Sequence, residues 1–163
     1  MSRRASILTL LVAGLAALAA PRARGQEALA VIVNRSNPVE NVTLEELRKF
    51  CTVERKFWSD NKRVTVVLRD PGQAERMAVL QLIYRMSESD FARFFLQAEF
   101  TGEVQSAPKR LSTGTGVRRF IFNVPGAIGF VRPAEADATV KVVRVNGFAP
   151  GDPQYPLRLA GSL

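Results

Sequence analysis

The chain has 163 residues, with 23 Lys and Arg against 15 Asp and Glu, a single cysteine and no histidine. One cysteine excludes an intrachain disulfide, and the absence of histidine removes the commonest general base and the commonest metal ligand. The formal charge of +8 suggests a nucleic-acid binder only until the first residues are set aside.

Residues 1–25 read as a signal peptide. Arg3 and Arg4 make a basic start, and Ile7 to Ala20 form an apolar run shorter than the ~20 residues a membrane-spanning helix needs. Ala23-Arg24-Gly25 puts small residues at −3 and −1 of a cut before Gln26, with Ala17-Leu18-Ala19 as an earlier alternative. Ser2-Arg3-Arg4 hints at twin-arginine export, but Ser6 stands where a bulky apolar residue belongs, which favours general secretion. The expectation is a periplasmic protein with no membrane span after cleavage. Loss of Arg3, Arg4, Arg22 and Arg24 takes the charge from +8 to +4, an ordinary solubility-level charge that speaks against nucleic acid as a partner. Residues 26–163 have the length of one α/β domain able to bury a core without staples.

Along the exported part, Ala28 to Asn34 is a short apolar run that ends in Asn-Arg-Ser-Asn-Pro, the pattern of a buried strand opening into a loop. Thr43 and Glu46 form a capping box for a helix reaching about Cys51, whose small thiol reads as a core residue. A basic-aromatic turn, Glu54 to Trp58, leads through Ser59–Lys62 to a second buried strand, Val64 to Leu68. Asp70 as N-cap, Pro71 at the first helical position and Gln73 at the third open the next helix, with Met77, Leu80, Ile83 and Tyr84 as its apolar face. Ser87 or Ser89 caps a helix that packs Phe91, Phe94, Phe95 and Ala98, and Thr101 to Leu111 reads as loop. Ser112 to Gly116 precedes an amphipathic helix with Val117, Phe120 and Ile121, stopped by Pro125-Gly126. Ala127 to Val131 and Val140 to Val145 are the third and fourth strands, and a Pro/Gly-punctuated tail follows. Strands alternating with helices predict a mixed, mostly parallel sheet of about four to five strands flanked by helices.

Four segments in this order resemble the phosphate-type substrate-binding proteins of ABC transporters. They are Val39 to Trp58 with its Leu-Glu-Glu-Leu-Arg core, Val64 to Gly72, the specific Pro125-Gly126-Ala127-Ile128-Gly129-Phe130-Val131, and the tail with Val145-Asn146-Gly147, Pro150 and Tyr155-Pro156-Leu157. The resemblance covers roughly residues 29 to 159 and implies a type II periplasmic-binding-protein lobe without cofactor. Full members close two such lobes on a ligand, and the residues here suffice for one, so the lobe is expected to bind in a groove open on one side, to pair with another chain or a second copy, or to have lost small-molecule binding.

The resemblance also implies a ligand site. The family holds its oxyanion with an arginine at a strand end and a Ser-Gly-Thr turn, and by position Arg69 matches the arginine and Gly72 the loop glycine. Asp70 and Gln73 share that loop, but Gln73-Ala74-Glu75 stand where Ser-Gly-Thr would be. A Glu75 carboxylate 4 Å from a bound anion would repel it by roughly 4 kcal/mol near a surface. The alternative for the same residues is structural, with Asp70 as a cap and Arg69 paired to Asp70 or Glu75 at the surface. Ser112, Thr113, Gly114 and Thr115 make a second candidate at a helix N-terminus, or simply its cap. Ser36 and Asn37, in the loop after the first strand, could add a third polar wall.

Two functions follow. One is a non-enzymatic solute-binding module for phosphate or another small oxyanion, partnered by an ABC permease. The other is an envelope protein-protein interaction module on the same lobe, for which Arg55-Lys56-Phe57-Trp58 offers interface-type anchors, the alternative being that Phe57 and Trp58 pack in the core. An enzyme is disfavoured, since no nucleophile lies beside a base and no carboxylate pair has a defensible spacing.

Overall fold

The five residues of strand β1, Ala30–Asn34, are all buried and sit inside a six-stranded sheet. The computed structural model describes residues 26–160, so the expected leader and its cleavage points lie outside the described residues. The other strands are β2 (Asn41–Val42), β3 (Thr65–Arg69), β4 (Lys109–Leu111), β5 (Ala127–Val131) and β6 (Val140–Val145). Their order is β2-β6-β1-β5-β3-β4, with β1 antiparallel to both neighbours and every other pairing parallel.

The sheet is therefore mixed and mostly parallel, as expected, but has six strands rather than four or five. The two extra strands are short and at the edges. β2 has two residues, and β4 falls within the Thr101–Leu111 stretch read as loop. Lys109-Arg110-Leu111 carries no apolar alternation because an edge strand has little to bury.

Among the described residues, four α-helices cover the sheet: α1 (Leu44–Cys51), α2 (Ala74–Val79), which runs on as a π-turn over Leu80–Tyr84, α3 (Glu88–Phe100) and α4 (Gly114–Asn123). The period-2 alternation of the strands divides the core into two. Val31, Val33, Ile128, Phe130 and Val143 pack with α1, the π-turn and α3, whereas Ala30, Ile32, Val67 and Ala127 pack against Val117 and Ile121 of α4.

The caps follow local sequence. Thr43 accepts from the Glu46 amide at 3.0 Å and the Glu46 carboxylate accepts from the Thr43 amide at 2.9 Å. Ser87 caps α3 by accepting from the Asp90 amide. Cys51 lies in the core facing Tyr84, and burial pushes its thiol up to about 12, so it stays neutral and inert at ordinary pH.

Two expectations are corrected. Asp70 does not cap α2: residues 70–73 close a turn in which the Gln73 amide donates to the Asp70 carbonyl at 3.3 Å, and α2 begins only at Ala74. Pro71 and Gly72, the latter at φ +86°, supply the second and third positions of a type II turn. Met77 is 51% exposed rather than core, because Glu75 and Arg76 take inward positions that an apolar pattern cannot reveal.

The Pro-Gly-Ala-Ile-Gly-Phe-Val run has a physical basis in close approach. A Cβ on Gly126 would lie 2.0 Å from the Arg63 carbonyl oxygen, and the Gly126 carbonyl accepts from both the Thr65 amide and the buried Trp58 indole N–H. A Cβ on Gly129 would come within 2.7 Å of Val117 Cγ1, so this glycine sets how closely α4 lies on the sheet. Gly129→Val should cost about 1–3 kcal/mol by overpacking, read as a lower urea midpoint. Val142→Ser, on the exposed side of β6, should stay within about 0.5 kcal/mol of wild type.

Candidate anion-binding site

β3 and β5 run parallel and end side by side, so the last residue of one, Arg69, and the residue just after the other, Arg132, converge. Between them stands Glu75 from the first turn of α2. Its Oε1 accepts from Arg69 Nη1 at 3.3 Å and from Arg132 Nε at 2.8 Å. Arg69 and Glu75 are buried, at 8% and 4% exposure, while Arg132 is partly open to solvent.

The rest of the cluster closes around this bridge. Arg69 Nη2 donates to Gln73 Oε1 at 3.2 Å and to the Ser112 carbonyl at 2.9 Å, while its Nε is buried without a partner. Arg132 also pairs with Glu27. Below the bridge, Arg76 donates to the Arg69 carbonyl at 3.2 Å, pairs with Glu88 and lies over the Phe91 ring, tying the strand end to α3. Burial works to raise the Glu75 pKa, but hydrogen bonds from Arg132 and its own backbone amide, with the Arg69 and Arg132 charges, outweigh it. The carboxyl is held below its usual range and stays an anion at neutral pH.

Of the residues singled out from sequence, the fold joins Arg69, Gln73 and Ser112. Asp70 takes part through its backbone, its amide donating to the Leu111 carbonyl, and Gly72 lies on the exposed turn. Thr113 accepts from the Gly116 amide and is the cap of α4. Gly114 is packed beneath the Glu135 carboxylate, which a Cβ would overlap, so the start of α4 already faces an internal anion. Thr115 is exposed beside it.

Ser36 and Asn37 do not join this group. β1 runs opposite to β3 and β5, so the loop that follows it leaves from the other end of the sheet. Asn34 there donates to the Ile121 and Phe122 carbonyls at the C-terminal end of α4, whereas Ser112 and Thr113 stand at its N-terminal end. Ser36 bonds back to Asn34, and the Asn37 side chain turns inward to accept from the Val39 amide. The third polar wall therefore belongs to the opposite rim. Of the two partners expected for Arg69, the structure gives Glu75 rather than Asp70, and the expected surface location is corrected, since the pair is interior.

No protein-family model and no curated protein matches the sequence. Solved structures do match. An ABC-type phosphate transport receptor from Vibrio cholerae superposes with a TM-score of 0.61 at 20% identity, over 76% of this chain and 48% of that one. A putative phosphate ABC transporter substrate-binding protein with bound phosphate from Clostridium perfringens gives 0.62 at 19% identity, over 76% and 47%. PstS from Borrelia burgdorferi gives 0.64 at 16% identity, over 82% and 55%. The fold is that of phosphate-transporter substrate-binding proteins. The chain spans about half the length of these structures, the extent of a single lobe of the phosphate-binding-protein fold.

Sequence reasoning missed Arg132 and the central part played by Glu75. Arg132 directly follows the Gly-Phe-Val that ends β5, so a basic residue at the end of a strand adjoining β3 was the available signal. Glu75→Leu leaves Arg69 buried without its counter-charge and should cost about 3–5 kcal/mol in a urea titration at neutral pH. A carboxyl with a depressed folded-state pKa contributes stability that is fully present above its unfolded value, near 4.5, and is lost as pH falls through the folded one. The gap between wild type and Glu75→Gln should accordingly narrow on acidification below about pH 4.5.

Proposed function

We propose that this protein is an exported, non-catalytic binding module of the phosphate-receptor type. Arg69 and Arg132 form its oxyanion-facing wall, and Glu75 occupies that wall while no ligand is bound. The observation that carries the reading is the single Glu75 oxygen shared by two guanidinium groups at neighbouring strand ends. Two convergent arginines at the ends of parallel strands suit a tetrahedral oxyanion, and guanidinium is the group whose fixed donors fit such oxygens. The neighbours' names add support: they are phosphate receptors and substrate-binding proteins, one with phosphate bound.

Glu75 sets the affinity. A phosphate entering between the arginines must displace a carboxylate already satisfied there or lie beside it, and like charges 4 Å apart repel by roughly 4 kcal/mol at an effective dielectric of 20. The wild-type protein is thus a weak phosphate binder in the absence of a second wall. Delivery to an ABC permease belongs to the same reading, with the opposing wall supplied by another chain or a second copy.

Calorimetry with phosphate, sulfate and small carboxylates tests this directly. Wild type should bind phosphate only on the order of millimolar, about −4 kcal/mol, and Glu75→Gln should bind about tenfold or more tightly. Arg69→Ala in the Glu75→Gln background should abolish the gain. No heat from Glu75→Gln with any of these anions would remove the oxyanion wall from consideration.

A second reading, an envelope protein-protein interaction module, is favoured by a separate feature. The Arg55-Lys56 turn lines a cleft away from the Arg69 cluster.

A further inference from the structure

Beneath the α3–β4 connection lies an open cleft of about 740 Å³. One wall is the segment after α1, with Arg55, Lys56 and Arg63, and the other is β4, with Lys109 and Arg110. Between them the floor is apolar, formed by Val64, Val66, Phe95 and Val104. Among the described residues, five cations line this cleft and no Asp or Glu does.

The internal partners of these cations leave the charge largely uncompensated. Arg55 reaches Glu46 at 3.4 Å, an exposed contact, and Lys56 donates to the Glu103 carbonyl rather than to a carboxylate. Lys109 lies over the Phe120 ring. Arg63 and Arg110, both exposed, make no side-chain hydrogen bond or ion pair among the described residues. The nearby Glu99 is engaged by the Ala107 amide, and Glu54 accepts from Thr52.

We propose that this cleft is a docking site for an acidic, extended segment of a partner polypeptide carrying an apolar anchor residue. Charge complementarity demands a polyanion, because one small anion would meet only a fraction of five cations spread over two walls. Val66, Phe95 and Val104 at the floor are core residues and Val64 is partly open, so the floor accepts an apolar side chain and offers inorganic phosphate no polar partner. β4 adds the third requirement: among the described residues it is the outermost strand and pairs only with β3, leaving its far edge able to receive another strand. Lys and Arg on an edge strand by themselves serve to discourage strand pairing. That role accounts for Lys109 and Arg110 but not for Arg55, Lys56 and Arg63 on the facing wall. The cleft borders the N-terminal half of β3, away from the strand end that carries Arg69, so it can work whether or not the oxyanion wall does.

The test uses the full chain and a fluorescein-labelled peptide in which Asp and Glu alternate with Val around one Phe. A matching peptide with Lys in place of each acid is the control. Anisotropy at low salt should show the acidic peptide binding on the order of 10–100 μM and weakening as salt rises. Arg63→Glu with Arg110→Glu should weaken it about tenfold or more, while circular dichroism reports an unchanged fold. Phosphate binding by Glu75→Gln should be unaffected by the pair, which keeps failure here distinct from failure at Arg69. Equal binding of the acidic and basic peptides, or no loss in the double variant, overturns the proposal. Binding to phosphatidylglycerol vesicles that the double variant loses, without binding to the peptide, overturns it in favour of a lipid surface. If the double variant does not fold, Arg63→Gln with Arg110→Gln gives the same comparison with a smaller change of charge.

Discussion

Two guanidinium groups brought together at the ends of β3 and β5 require an anion between them. Unit charges of the same sign 4 Å apart repel by roughly 4 kcal/mol near a surface, and more strongly where water is excluded. Arg69 is buried and cannot be satisfied by solvent. The chain meets the requirement with Glu75, and that choice fixes much of its surroundings. It turns the charged side of the first turn of α2 inward, brings Arg132 over the start of that helix, and leaves Gln73 and the Ser112 carbonyl to complete the shell of Arg69. Arg76 extends the same network into α3 through Glu88. The strand ends, α2, α3 and the segment leading into α4 are thereby held by one set of charges, and the open end of the sheet is closed from within.

This arrangement separates fold from ligand. The likeness to phosphate-transporter substrate-binding proteins lies in the fold, at identities of 20% or less. At the rim where β3 and β5 end, the chain carries paired arginines and a helix start at Gly114, and places a carboxylate of its own at each. Glu75 and Glu135 thus answer the same electrostatic demand twice. The cleft beside β4 has the opposite character, since its cations have few internal partners and face outward.

How much of this was legible in the sequence depended on what each segment buries. β1, β3, β5 and β6 are apolar runs, and their limits were readable to within a residue or two. The Thr43–Glu46 box and the Ser87 cap were readable because capping is decided by side chains three residues apart. β4 was not, because an edge strand of Lys-Arg-Leu buries almost nothing. On the helix after β3, Leu80, Ile83 and Tyr84 are buried as the pattern predicts, but Met77 is not, because ion pairs to Arg69 and Glu88 draw Glu75 and Arg76 inward in the first turns. Asp70-Pro71-Gly72 satisfies two rules at once, a helix start and a type II turn, and the left-handed preference of Gly72 decides for the turn. The separation of Ser36 and Asn37 from the site could not be read locally, because it follows from β1 running against the rest of the sheet.

The central claim is that Glu75 stands where an oxyanion would be held. Crystals of the wild-type protein grown without phosphate, and of Glu75→Ala grown in concentrated phosphate, test it most directly. The account predicts Glu75 bridging Arg69 and Arg132 in the first, and phosphate on both guanidinium groups in the second. Glu75 turned away from the arginines in the phosphate-free wild type would contradict it, as would a Glu75→Ala structure in which that place holds no anion.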